Sequence, residues 1–92
     1  MPLTRDFAFI ADKNTEAGKL LTTIQNVDKE KITNVILFDV YEGDELPADK
    51  KSIAIQVTIS PTEKTMTDKD IEILSTQIIN MVKKNTGAEL RS

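Results

Sequence analysis

The chain has 92 residues and a mass of 10.3 kDa, 39% of it hydrophobic and 29% charged, with 12 Lys and Arg against 15 Asp and Glu for a net charge of −3. That is enough apolar material for one modest core, and too little net charge with too many apolar residues for a disordered chain. The absence of Cys and His excludes a disulfide scaffold, a thiolate metal site, a Cys nucleophile and the commonest general base, and the acidic balance argues against a nucleic-acid binder that works by gripping phosphates, though not against a reader of exposed bases beside a more basic partner.

Arg5 to Ile10 reads as a strand with Phe7 and Phe9 on one face and Ala8 and Ile10 on the other. Apolar residues on both faces suit a central strand. After the turn Asp12-Lys13-Asn14, Thr15 is the expected N-cap of an amphipathic helix that ends near Asp28. Its stripe is Ala17, Leu20, Leu21, Ile24 and Val27, with Thr22, Thr23 and Asn26 on the far side. Thr33 to Tyr41 is a second strand, with Ile36, Phe38 and Val40 expected on one face and Leu37, Asp39 and Tyr41 on the other. The acidic loop Glu42 to Asp49 follows. Asp44, Glu45 and Asp49 crowd it and could meet a cation, but the calcium-loop spacing is absent and a solvated loop explains them.

Ser52 to Ile59 alternates strictly: Ile53, Ile55, Val57 and Ile59 on one face, Ser52, Ala54, Gln56 and Thr58 on the other, with Pro61 as terminator. Thr67-Asp68-Lys69-Asp70 opens a second helix with the pattern of a capping box. Ile71, Leu74, Ile78 and Val82 form its stripe, and Lys83, Lys84, Asn85 and Gly87 are its stop signals. Ala88 to Arg91 supplies a short last strand.

The order strand, helix, strand, strand, helix, strand is that of an α+β, ferredoxin-like βαββαβ sandwich: a four-stranded antiparallel sheet with two helices on one face, one domain over residues 1–92. The isoleucine face of the third strand must meet the helices. Asp39, Tyr41, Ser52, Ala54, Gln56 and Thr58 then line the open face.

No spacing marks an acid–base pair, and no glycine-rich loop could cradle a phosphate. Asp39 and Tyr41 are the most suggestive side chains. A tyrosine ring can stack a nucleobase, and a carboxylate can accept from the two N–H donors on the Watson–Crick edge of guanine. By pattern alone the pair reads more readily as a surface tyrosine beside a surface carboxylate. Lys50 and Lys51 are either a solubilising pair at a strand start or contacts to an RNA phosphate.

Five segments in order carry a resemblance: Arg5-Asp6-Phe7-Ala8-Phe9-Ile10, Phe38-Asp39-Val40-Tyr41-Glu42-Gly43, Lys51-Ser52-Ile53-Ala54, Met66-Thr67-Asp68 and Thr86-Gly87-Ala88-Glu89-Leu90-Arg91. From about Leu3 to Arg91 the chain resembles the ferredoxin-fold anticodon-binding domain that ends the β subunit of bacterial phenylalanyl-tRNA synthetase. The resemblance implies a tRNA-binding module without catalysis or cofactors of its own, excised from a longer subunit. The parent would be a cytoplasmic α2β2 phenylalanine-tRNA ligase that uses ATP and magnesium, with catalysis in the α subunit. Carried onto this chain, the family's contacts to the first anticodon base, a guanine, fall on Asp39, Tyr41 and Ser52, with Lys51 nearby and no metal. A competing reading is a stand-alone ferredoxin-like domain that senses a small molecule or binds a protein. An acylphosphatase-type enzyme shares the topology, but this chain lacks a convincing phosphate loop.

Overall fold

The computed structural model describes residues 2–43, 46–60 and 66–91. Its elements are β1 (Leu3–Asp12), α1 (Ala17–Gln25), β2 (Ile32–Tyr41), β3 (Lys50–Ile59), α2 (Asp68–Thr86) and β4 (Glu89–Leu90). The sheet runs β2-β3-β1-β4, and every neighbouring pair is antiparallel. This is the ferredoxin-like α+β fold that the element order predicts. Asp44, Glu45 and Pro61, given sequence roles above, lie outside the described residues.

Alternation in β3 fixes which side is covered. Ile53, Ile55, Val57 and Ile59 are fully buried, and they meet Phe7, Phe9 and Ala11 of β1, Leu20 and Ile24 of α1, and Leu74, Ile78 and Val82 of α2 in one core. Both helices therefore sit on the same face, and Gln56 and Thr58 stay half-exposed on the other. Fully burying one such aliphatic side chain stabilises the fold by about 1.5–3 kcal/mol, so this face dominates folding.

Local chemistry sets the boundaries. Thr67 and Asp70 close a reciprocal capping box, with the Asp70 N–H donating to Thr67 Oγ1 at 3.2 Å and the Thr67 N–H to Asp70 Oδ2 at 3.0 Å. At the other end Gly87 takes a left-handed φ of 78° and its N–H reaches the Lys83 carbonyl at 2.9 Å. A side chain at that φ would be strained, so glycine ends the helix there. Helix α1 departs from the reading above. Thr15 is not its cap: the Thr15 N–H closes a turn onto the Asp12 carbonyl at 2.9 Å, and the helix starts one residue later from an extended Glu16 that caps nothing with its side chain. Thr23, expected outside, is buried.

The main correction concerns β2. Its register against β3 slips twice, at Thr33 and at Phe38. Before the second slip Leu37 pairs with Ile55 and Ile36 with Gln56. Directly opposed residues of an antiparallel pair share a face, so Leu37 turns toward the helices and Ile36 toward the open side, the reverse of the expectation. Phe38 is the extra residue of a bulge. It is not packed under the helices but 56% exposed. Beyond it Val40 pairs with Ile53, and Asp39 and Tyr41 return to the open face.

Candidate nucleic-acid interface

The open face is built in rows across three strands. Tyr41 of β2 pairs with Ser52 of β3, which pairs with Ile10 of β1. One step along, Asp39 pairs with Ala54, and Ala54 with Ala8. Ile36, Gln56 and Asp6 form the next row. Rows lie about 6.5–7 Å apart along the strands, and strands about 4.8 Å apart across them. The middle row thus has a floor of two methyl groups with a carboxylate at its β2 end, bordered by an aromatic ring.

The three side chains differ in access. Asp39 is exposed, Tyr41 is 42% exposed, and Ser52, between Tyr41 and Ile10 in its row, is 7% exposed. The sheet brings together Asp39, Tyr41 and Ser52 but not Lys51. Lys51 pairs with the buried Ala11 and so belongs to the helix side, whereas Lys50 pairs with Asp12 on the open side. Sequence reasoning treated Lys50 and Lys51 alike as possible phosphate contacts and carried only Lys51 into the site. The signal was available: a residue two before Ser52 shares its face, and a residue one before it does not.

The end of the sheet next to Tyr41 is tied down. Lys50 Nζ lies 2.5 Å from Asp12 Oδ1, and Lys13 Nζ lies 3.2 Å from Glu42 Oε1. The Lys13 N–H donates to the Asp49 carbonyl at 2.9 Å, and the Leu46 N–H to the Gly43 carbonyl at 3.0 Å. The hydrogen bond to Asp12 raises the Lys50 pKa above its ordinary value against an opposing desolvation, with further help from the charges of Asp12, Asp49 and Glu89. Lys50 is half-exposed, and its cation persists through neutral pH. An open cleft of about 420 Å³ runs along this end between Lys13, Glu42, Gly43, Leu46, Pro47, Ala48 and Lys50.

Among the described residues no three carboxylates converge. Among them, too, no helix is long and apolar enough to cross a membrane.

A sandwich of this topology with an open face of aromatic, carboxylate and small residues has the form of a nucleobase-binding module. The family model of the ferredoxin-fold anticodon binding domain matches residues 2–91, and the chain belongs to that family. The chain is 50% identical over 91 residues to the phenylalanine–tRNA ligase beta subunit of Bradyrhizobium diazoefficiens, covering 99% of this chain and 11% of that protein. The beta subunits of Mesorhizobium japonicum (53% over 87 residues, 95% of this chain) and Paramagnetospirillum magneticum (50% over 90 residues, 98% of this chain) are similar to it as well. The chain spans about 11% of the length of each of these relatives.

Proposed function

We propose that this chain is the anticodon-binding module of a phenylalanyl-tRNA synthetase β subunit, and that it recognises phenylalanine tRNA during aminoacylation. The observation that carries the reading is the grouping of Tyr41 and Ser52 in one row with Asp39 in the next, over a floor of Ala54 and Ala8. In this reading the first anticodon base, a guanine, stacks on the Tyr41 ring. Asp39 accepts from its Watson–Crick N–H groups, and Ser52 adds a neutral hydrogen bond beneath. Lys50 stands on the same face and Lys51 on the helix side, so a phosphate lying over the open face meets Lys50 first.

The module contributes recognition and no chemistry. ATP and magnesium are held elsewhere in the parent, a cytoplasmic α2β2 ligase whose α subunit activates and transfers phenylalanine. The relatives' names and the 11% coverage support a role as one part of such a longer subunit.

The test is a titration of the chain with a phenylalanine-tRNA anticodon stem-loop, followed by amide chemical shifts. Asp39, Tyr41, Ser52 and Ala54 should move first, and the outward side of α2 should not. Few cations face the RNA, so log K against log salt should have a slope shallower than about −3, at roughly −0.7 per phosphate. Shifts confined to the helices, or a much steeper slope, would place the RNA on another surface.

A further inference from the structure

Gly43 stands two residues beyond Tyr41, at the mouth of the β2–β3 loop. A glycine is retained for one of two physical reasons, a backbone angle that other residues avoid or a lack of room for a side chain. Among the described residues only Gly87 has a positive φ, so the first reason does not apply to Gly43. The second does. A Cβ added to Gly43 would lie 2.9 Å from Cε2 of Tyr41 and closer still to Cζ and the hydroxyl oxygen. The outer edge of the ring therefore occupies the space that a side chain at position 43 would fill. The backbone beneath the ring is itself held, by the Leu46 N–H on the Gly43 carbonyl and by the Lys13–Glu42 ion pair one residue before.

We propose that Gly43 is a positioning residue, whose bare Cα is the seat against which the Tyr41 ring lies so that the ring is already oriented when a base arrives. The inference rests on the reading of Tyr41 as the stacking surface. It adds a cause for the ring's orientation, and with it a source of affinity: a seated ring loses less freedom on binding than one that swings. Any side chain at position 43 pushes the ring off its seat. The obstacle is the far end of a mobile side chain rather than backbone, so the ring gives way and the fold survives.

The chain has one Tyr and no Trp, so every tyrosine ring signal in its NMR spectrum belongs to Tyr41. The parent should show nuclear Overhauser effects between the Tyr41 ring protons and the Gly43 α-protons. Gly43→Ala should abolish that pattern, move the ring shifts toward those of a free tyrosine, and leave the unfolding midpoint close to the parent's. Gly18→Ala is the matched control, since a Cβ there meets nothing within 4 Å.

Affinity for an anticodon stem-loop RNA should fall about three- to tenfold in Gly43→Ala, part of the roughly 5- to 150-fold that losing a stacked aromatic costs. In a Tyr41→Ala background the same substitution should cost nothing further. A Gly43→Ala variant that binds like the parent while Tyr41→Ala does not would overturn the positioning role and leave the stacking role standing. A Tyr41→Ala variant that itself binds like the parent would remove the stacking role, and the positioning role with it. Should Gly43→Ala fail to fold, the parent decides: no Overhauser contact between the ring and the Gly43 α-protons means that the seat does not exist.

Discussion

Strands β2 and β3 are neighbours of equal length, ten residues each, and they follow opposite rules. In β3 every second residue from Ile53 to Ile59 is fully buried, and its pairing with β1 runs without a slip. In β2, the edge strand, the register slips twice and Ile36, Phe38, Val40 and Tyr41 all remain substantially exposed. The central strand is constrained on both sides by partners and below by the helices, so a slip would exchange its two faces at great cost. The edge strand has one partner and can absorb an extra residue. The candidate interface begins at that extra residue, which places Asp39 and Tyr41 on the open face while Leu37 still reaches the core side.

The largest expected effect tests the asymmetry directly. Ile55→Ala should cost about 2–5 kcal/mol, as truncation of a fully buried aliphatic does. Ile36→Ala, its near neighbour across the strand pair, should stay within about 0.5 kcal/mol, as for an exposed site. Denaturant unfolding of the two variants measures both values. Equal losses would mean that β2 is packed as tightly as β3.

A second pair sharpens the role of the bulge. Deleting Phe38 removes the unpaired residue and leaves Leu37 against Ile55 and Asp39 against Ala54, so the variant should unfold cooperatively near the parent. Deleting Val40 instead would move Tyr41 to the helix side opposite Ile53 and take its ring off the open face, so stem-loop binding should fall by the roughly 1–3 kcal/mol of a lost stacked aromatic. If the Phe38 deletion proves the more damaging, the bulge has been assigned to the wrong residue.

Smaller effects should appear in binding rather than stability. Tyr41→Ala should weaken stem-loop binding by roughly 1–3 kcal/mol whichever base is stacked, and Ser52→Ala by about 1 kcal/mol for one neutral hydrogen bond. Isothermal titration in parallel with thermal unfolding separates the two properties. A Ser52→Ala loss larger than that of Tyr41→Ala would reverse the ranking.

What could be read from sequence follows the same divide. The isoleucine ladder of β3 and the Thr67/Asp70 capping box were legible because each rests on contacts local to its own segment or on an unbroken period. The phase of β2 was not, because from Val35 to Tyr41 every residue except Asp39 is apolar or aromatic and either face could have been the buried one. Asp39 and Tyr41 were assigned to the open face correctly because they lie after the bulge, in step with Ser52. Ile36 and Leu37, before it, were exchanged. Thr15 looked like a helix cap because its type suits one, but the chain is still in the turn onto Asp12 at Thr15, and the helix opens one residue later from Glu16. The Tyr41–Gly43 contact left no trace in composition or period, since the same dipeptide spacing would serve a simple turn.

The most direct test of the account is Asp39→Asn. The substitution keeps size and shape but replaces an acceptor oxygen with an NH₂ donor, which opposes the N–H groups of guanine. Stem-loop binding should be measured for parent and variant with guanine and with adenine at the first anticodon position, alongside thermal unfolding to establish that both are folded. The account predicts that the variant loses affinity for the guanine stem-loop and loses much less for the adenine one. A folded variant that keeps the parent's preference for guanine would show that Asp39 is a surface carboxylate and does not read the base.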